Sequence, residues 1–171
     1  MQESMEVAER ASSDIETWLN SLNKTQNVTN VEDEPEYQDI DVDLLWETQK
    51  NEYQVEIKGD RQHETGNYFF ETISNKGKNT PGFFMYSEAD LFFYYFVDIK
   101  KLYILPLKET RKWFIENIDE FYERETTTTY GDGDDDYYIT VGRLVPINTV
   151  LKSISGIKKY NLQKNISDNN E

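Results

Sequence analysis

The chain contains no cysteine and only one histidine, His63, among its 171 residues. Disulfides and thiolate metal sites are therefore excluded, and zinc sites or Ser-His-Asp catalytic sets are hard to build. Basic residues are also scarce, with 18 Lys and Arg against 33 Asp and Glu, for a formal net charge of −15. Because most of such a surface repels nucleic acid, DNA binding would require a local basic strip and neutralising cations.

Long apolar runs are missing too, since the longest covers residues 91–97. Such a run is too short to cross a bilayer, and the polar start of the chain lacks the apolar core of a signal peptide. We therefore expect a cytoplasmic protein that makes no membrane contact. The length predicts one domain over residues 1–155, followed by a polar tail over 156–171 that we expect to fray.

Hydrophobic periodicity predicts the secondary structure. Apolar residues at steps of three and four predict an amphipathic helix over residues 5–22. Strands are predicted at 38–46, 52–58, 67–73, 102–105 and 137–145. Further helices are predicted over the aromatic run that follows Ser87, over 108–124 and from Pro146 to about 153, with polar loops at 75–82 and 126–136. This order favours an α/β sandwich around a central mixed sheet.

The two acidic strands predict a β-hairpin with a charged face. Apolar and charged residues alternate along both runs, as expected for strands that bury one face. If residues 48–51 form the turn, Asp43 lies opposite Glu56 and Asp41 lies opposite Lys58. These side chains would then be close enough to share a cation.

A cluster of this kind could hydrolyse a phosphodiester, because Mg²⁺ held by carboxylates activates water and neutralises the phosphate. Asp43 and Glu56 are candidate metal ligands, and the Ile57 carbonyl could add another. Lys58 could position or deprotonate the attacking water. Asp41 competes with Asp43 for the ligand role, and we favour Asp43. The competing interpretation is a solvated hairpin face without chemistry.

The motif formed by Asp43 and by Glu56-Ile57-Lys58 after a short hairpin resembles the PD-(D/E)xK nuclease superfamily. The flanking segments are similar to its small phage or mobile-element members, and the likeness covers roughly residues 5–150. The resemblance implies the restriction-endonuclease-like fold, a DNA substrate and a Mg²⁺ or Mn²⁺ cofactor. It also implies metal binding by the Asp and the Glu, and activation of water by the lysine. Whether the protein acts as a homodimer stays open.

Several flanking residues complete the predicted site. Glu71, on the strand after the lysine strand, could reach a second cation or a metal-bound water, or could be an acid at the sheet edge. Residues that could contact phosphates beside the site are Arg61, His63, Lys76 and Lys78. For His63 taken alone, an exposed loop position is the favoured interpretation.

The strong negative charge also permits a function of another class. A noncatalytic acidic protein could imitate DNA and occupy the basic groove of a nucleic-acid-processing protein, such as a nuclease or a CRISPR-type effector. Stabilisation by divalent ions separates the two hypotheses, because only a carboxylate metal site predicts it.

Overall fold

A computed structural model describes residues 2–129 and 137–163. Within them the chain forms five α-helices and ten β-strands. The helices are α1 (Gln2–Ser21), α2 (Pro35–Gln38), α3 (Phe83–Tyr86), α4 (Leu107–Glu116) and α5 (Ile147–Ser153). The strands are β1 (Thr25–Asn30), β2 (Leu44–Thr48), β3 (Glu52–Asp60), β4 (Asn67–Asn75), β5 (Thr80–Pro81), β6 (Leu91–Phe96), β7 (Lys101–Pro106), β8 (Tyr122–Thr129), β9 (Tyr137–Pro146) and β10 (Lys158–Asn161).

Six strands form a large mixed sheet in the order β1-β2-β3-β6-β7-β10. The first three strands are antiparallel neighbours, β6 runs parallel to β3, and β7 and β10 follow antiparallel. The coarser part of the predicted class, a mixed α/β fold with a central mixed sheet and several helices, is therefore confirmed. None of the helices in the described part of the chain is long and apolar enough to cross a membrane.

The other four strands form a small antiparallel sheet in the order β5-β4-β9-β8. It packs against one face of the large sheet through an aromatic core that includes Phe92 and Tyr94 from β6 and Tyr68 and Phe70 from β4. The rings of Tyr68 and Tyr94 lie 4.9 Å apart at their centres, in an edge-to-face arrangement. Edge-to-face contact is favourable because the positive ring edge meets the negative ring face.

The opposite face of the large sheet is covered by α1. The helix buries Ala11, Ile15 and Leu19 completely, and all three belong to one apolar cluster with the sheet. A methyl group built on Gly59 of β3 would lie 3.0 Å from the Ala11 methyl, so the helix crosses the strand closely. The predicted N-terminal helix is confirmed.

The helix predicted over the aromatic run is wrong, because residues 91–96 form strand β6 at the centre of the large sheet. A central strand is covered on both faces, so it carries a continuous apolar run in place of an alternating one. Ser87 does not begin a helix either. Its hydroxyl donates a hydrogen bond of 2.7 Å to the Asp41 carbonyl.

Two predicted boundaries in the next part of the chain are also wrong. The helix expected to reach residue 124 ends at Glu116, and β8 begins at Tyr122. The loop expected from residue 126 is strand up to Thr129, and its remaining residues, 130–136, lie outside the described part. Strand is favoured there because four consecutive threonines are β-branched and pair with β9.

The C-terminal segment does not simply fray. Residues 158–161 form β10, which pairs antiparallel with β7, and Leu162 is buried against the α1 side of the sheet. Residues 164–171 of the expected tail lie outside the described part. The boundary of the single domain at residue 155 stays a prediction.

The first acidic strand is shorter than expected. Pro35 begins the short helix α2, and residues 39–41 form a turn before the chain extends into β2, which starts at Leu44. Proline fixes a backbone angle that suits the first turn of a helix, which explains why this segment does not extend. The acids at 39, 41 and 43 therefore do not alternate along one strand.

Candidate functional site

The predicted hairpin between β2 and β3 is confirmed, with its turn closed by a 2.7 Å hydrogen bond from the Thr48 N–H to the Asn51 carbonyl. Leu44 pairs with Val55, and the Asp43 N–H donates to the Val55 carbonyl at 2.9 Å. Asp43 therefore extends the ladder and lies opposite Glu56, as the sequence predicted.

The Asp43 carboxylate is oriented by the backbone of the next strand. Its Oδ2 accepts a hydrogen bond of 2.8 Å from the Ile57 N–H. Because the N–H and C=O of one strand residue face the same side, the Ile57 carbonyl also faces Asp43. The Ile57 carbonyl oxygen, which the sequence predicts as a metal ligand, is thus on the same side as the Asp43 carboxylate. The Ile57 side chain packs toward α1.

Glu56 lies at the centre of the site and is only 6% exposed. Its carboxyl group is within hydrogen-bonding reach of the carboxyl groups of Asp41 and Asp43. Its Oε2 is buried and has no hydrogen-bond partner among the described residues. Ionised carboxylates repel at such distances, so the arrangement requires a shared proton or a cation.

Asp41 belongs to the same cluster, but it does not have the strand position that the sequence predicted. It is not opposite Lys58, because it precedes β2 in a turn and has a left-handed backbone with φ of 54°. Aspartate tolerates this conformation better than most residues. The Ser87 hydroxyl holds the Asp41 carbonyl, and Oδ2 of the side chain is buried without a hydrogen-bond partner in the described structure.

Burial raises the pKa of every acid in this cluster. Loss of water raises the pKa of Asp43 to about 6, although the Ile57 N–H opposes the change. The pKa of Glu56 is raised well above its ordinary value, first by burial and then by the charges of Asp43 and Asp41. The pKa of Asp41 is also raised by burial. Clustered acids with raised pKa values are frequent at functional sites.

Lys58 and Glu71 adjoin the three acids. Lys58 is two residues after Glu56 on β3, so both side chains project to the same face. Burial raises the pKa of Glu71, while the nearby charge of Lys58 lowers it, so the two groups are electrostatic neighbours. The start of α3 crosses Glu71 so closely that a methyl group on Gly82 would lie 2.5 Å from the Glu71 carbonyl oxygen.

Tyr86, at the end of α3, was missed by the sequence analysis. It is 40% exposed, and its pKa is raised by burial and by the negative charges of Asp41, Glu56 and Glu71. Its position beside the acids follows only from the packing of α3 on β4. No sequence pattern indicates it.

An open cleft of about 550 Å³ extends from Lys58 and Glu71 along the face of the small sheet. Two further cations, Arg61 and Arg124, line it, together with the acid Asp60 and a row of threonines from β8. Three bases and two acids therefore line this cleft, in a chain where acids outnumber bases almost two to one. The cleft is therefore less acidic than the chain as a whole.

The four residues predicted to contact phosphates do not lie together. Arg61 lines the cleft. The exposed loop position expected for His63 is wrong, because His63 begins the short 3-10 turn that follows and is partly buried. Lys76 forms an exposed ion pair with Glu125 of β8, and Lys78 is exposed in the turn between β4 and β5. Neither lysine lines the cleft, whereas Arg124, which was not predicted, does.

In residues 2–129 and 137–163, no group of three or more His, Cys, Asp or Glu side chains is arranged to hold a metal ion. The candidate ligand atoms are all oxygens, which hard cations such as Mg²⁺ prefer. Two of them, Asp41 Oδ2 and Glu56 Oε2, are buried without a hydrogen-bond partner in the described structure. Mg²⁺ binds through one or two carboxylates and keeps waters in its other positions. Asp43 and Glu56 supply two carboxylates, and the Ile57 carbonyl is a further oxygen on the same side.

No protein-family model, no curated protein and no solved structure matches this chain.

Proposed function

We propose that the protein is a metal-dependent deoxyribonuclease of the restriction-endonuclease-like fold, which uses Mg²⁺ or Mn²⁺. The observation that carries this proposal is the buried Glu56 carboxyl, with its partnerless Oε2, in a cluster with Asp43 and Asp41 beside Lys58. A folded protein keeps such a cluster at a cost in stability, and strain of this kind is typical of catalytic sites.

When bound, the divalent ion would lower the pKa of a water molecule and neutralise the scissile phosphate. Asp43 and Glu56 would hold it, with the Ile57 carbonyl as a third oxygen. Lys58 would orient the attacking water or accept its proton. The water oxygen forms a bond to phosphorus, one P–O ester bond breaks, and the leaving oxygen is protonated by solvent.

The cleft next to Lys58 and Glu71 would receive the DNA backbone. Arg61 and Arg124 line this cleft and would contact phosphates, and the threonine hydroxyls of β8 would donate further hydrogen bonds to phosphate oxygens. Such contacts position a strand without reading its sequence. The acidic remainder of the surface would make binding weak without divalent ions and strongly dependent on salt concentration.

The test is cleavage of single-stranded, duplex and branched DNA by the full chain in Mg²⁺, in Mn²⁺ and in EDTA. Glu56→Gln should abolish cleavage, because it removes the buried ligand. The matched control is Glu52→Gln, which changes an exposed acid on the same strand and should cut at the parent rate. Absence of cleavage by the parent on every substrate, or equal cleavage by the Glu56 variant, would refute the proposal.

A second candidate function is favoured by the distribution of charge. Glu32, Asp33, Glu34 and Glu36 are all exposed between β1 and β2, with no base among them. A surface of this kind could imitate the phosphates of DNA and inhibit a nucleic-acid-processing protein. Reversing these four charges should abolish inhibition if this function is correct, and should leave DNA cleavage intact if the protein is a nuclease.

A further inference from the structure

A second concave surface lies on the opposite face of the large sheet from the acids. Helix α1 ends at Ser21, and beyond its end the sheet is open near the β2–β3 turn. The resulting groove has a volume of about 400 Å³, which is in the range of small-molecule sites. Along β3, Tyr53 in this groove is five residues from Lys58, about 16 Å away at the rise of a strand.

Aromatic rings form the walls of this groove at both sides. On one side the rings of Trp46 and Tyr53 lie 5.2 Å apart at their centres, and on the other those of Trp18 and Tyr160 lie 4.8 Å apart. The two tryptophans are buried, while the two tyrosines are partly exposed. A planar ligand on either tyrosine would contact aromatic surface that is already in place.

Three exposed lysines, Lys24, Lys50 and Lys158, also line the groove, and its described lining contains no Asp or Glu. The Lys24 ammonium lies 5.2 Å from the centre of the Trp46 ring. These three lysines form a positively charged surface on a protein whose formal net charge is −15. The local potential therefore favours an anion.

One polar atom of the wall has no partner in the described structure. Trp18 is 1% exposed, and its ring Nε1 is buried without a hydrogen bond to any described residue. The corresponding atom of Trp46 donates a hydrogen bond to the Thr25 hydroxyl at 2.9 Å. One indole N–H of the groove wall therefore has a partner, and the other has none among the described residues. Because this atom has almost no accessible surface, it belongs to the buried wall and is not a contact for a ligand in the groove.

We propose that this groove binds a nucleotide, with the base against the aromatic rings and the phosphate on the lysines. An inorganic anion would use the lysines but not the rings, and a neutral aromatic molecule would use the rings but not the lysines. A ligand that joins a planar base to a phosphate uses both. The source is a free nucleotide or a nucleotide of a single strand.

Two of the three tryptophans of the chain line the groove, so binding can be followed by tryptophan fluorescence. The full chain would be titrated in EDTA with each deoxynucleoside 5′-monophosphate and with a short single-stranded oligonucleotide. Saturable quenching is expected, and calorimetry should give the same affinity. Tighter binding of the monophosphate identifies a free nucleotide as the source, and tighter binding of the oligonucleotide identifies a strand.

Charge reversal tests the phosphate contact without threatening the fold, because the lysines are exposed. Lys50→Glu and Lys158→Glu should each weaken binding about tenfold, the effect of a lost and reversed ion pair. Lys112→Glu, at an exposed lysine of α4 outside the groove, is the matched control and should bind as the parent does. Tyr53→Leu keeps an apolar side chain but should weaken binding through lost stacking.

Three results would overturn the proposal. They are equal affinity for the nucleoside without phosphate, equal quenching by inorganic phosphate alone, and unchanged affinity in both lysine reversals. The test is independent of the proposed nuclease activity, since it is done in EDTA. Glu56→Gln should bind nucleotides normally, so failure of one proposal can be told from failure of the other.

Discussion

Replacement of Asp43 by Asn should stabilise the protein when divalent ions are absent. Burial raises the pKa of Asp43 from 3.8 to about 6, so its ionised form is destabilised in the folded state. Each pKa unit corresponds to about 1.4 kcal/mol, which gives about 3 kcal/mol for a change of about two units. Asparagine cannot ionise, and its side-chain oxygen can still accept the hydrogen bond from the Ile57 N–H.

The sign and the pH range of this effect follow from linkage. The folded state binds the Asp43 proton more tightly than the unfolded state, so the parent loses stability as pH rises from about 4 to about 6. Above that range the loss is complete and constant. Asp43→Asn lacks this loss, so its advantage should be largest at pH 8 and should shrink between pH 6 and 4.

Thermal unfolding in EDTA measures the difference directly. For a chain of this size, 1 kcal/mol shifts Tm by about 2–4 °C, so the variant should melt ~6–12 °C higher at pH 8. With Mn²⁺ at a hundred times its Kd, the parent should gain about 2.7 kcal/mol and the variant far less. Asp39→Asn, at an exposed acid of the same turn, should melt with the parent. A variant no more stable than the parent at pH 8 refutes the reasoning.

Three further substitutions test other parts of the structure. Lys58→Met should fold normally but lower DNA cleavage about 10²–10⁴-fold, the usual contribution of a positioned proton-transfer group, in single-turnover assays with Mg²⁺. Tyr94→Phe removes a buried hydroxyl that donates to Asp60 and accepts from the Phe69 N–H, and should lower the free energy of unfolding in urea by about 1.5–3 kcal/mol. Gly142→Ala places a methyl group 2.5 Å from the Phe69 ring and should cost about 1–3 kcal/mol in the same assay.

The hairpin at the site was predictable because local patterns determine it. Alternation places Glu56 and Lys58 on one face of β3, and the length of the turn places Asp43 opposite Glu56. Both features depend on residues fewer than twenty positions apart. Short-range information of this kind is present in a single sequence.

The remainder of the site depends on contacts between distant segments. Asp41 reaches Glu56 through a left-handed turn that Ser87 holds from 46 residues away. Tyr86 and Arg124 enter the site and the cleft through the packing of α3 and β8. Hydrophobic periodicity carries no information about these contacts between distant segments, because tertiary packing determines them.

The wrong helix over residues 91–96 has a related cause. A run that is apolar at every position fits a helix buried on all sides or a strand covered on both faces, and periodicity cannot separate them. Pairing with β3 and β7 makes this segment a strand, β6, and not a helix. The partner β7 was predicted as a strand, but its pairing with β6 was not.

The two sheets alternate along the chain, and this order governs how the protein folds. The chain contributes β1–β3 to the large sheet, then β4 and β5 to the small one, returns for β6 and β7, leaves for β8 and β9, and returns for β10. Neither sheet can be completed until late segments have arrived, so both should form in one cooperative transition. The pairing of β3 with β6 also closes a long loop, which slows folding. The chain should therefore fold more slowly than a helical protein of equal length, and a fragment that ends before β8 should retain neither sheet.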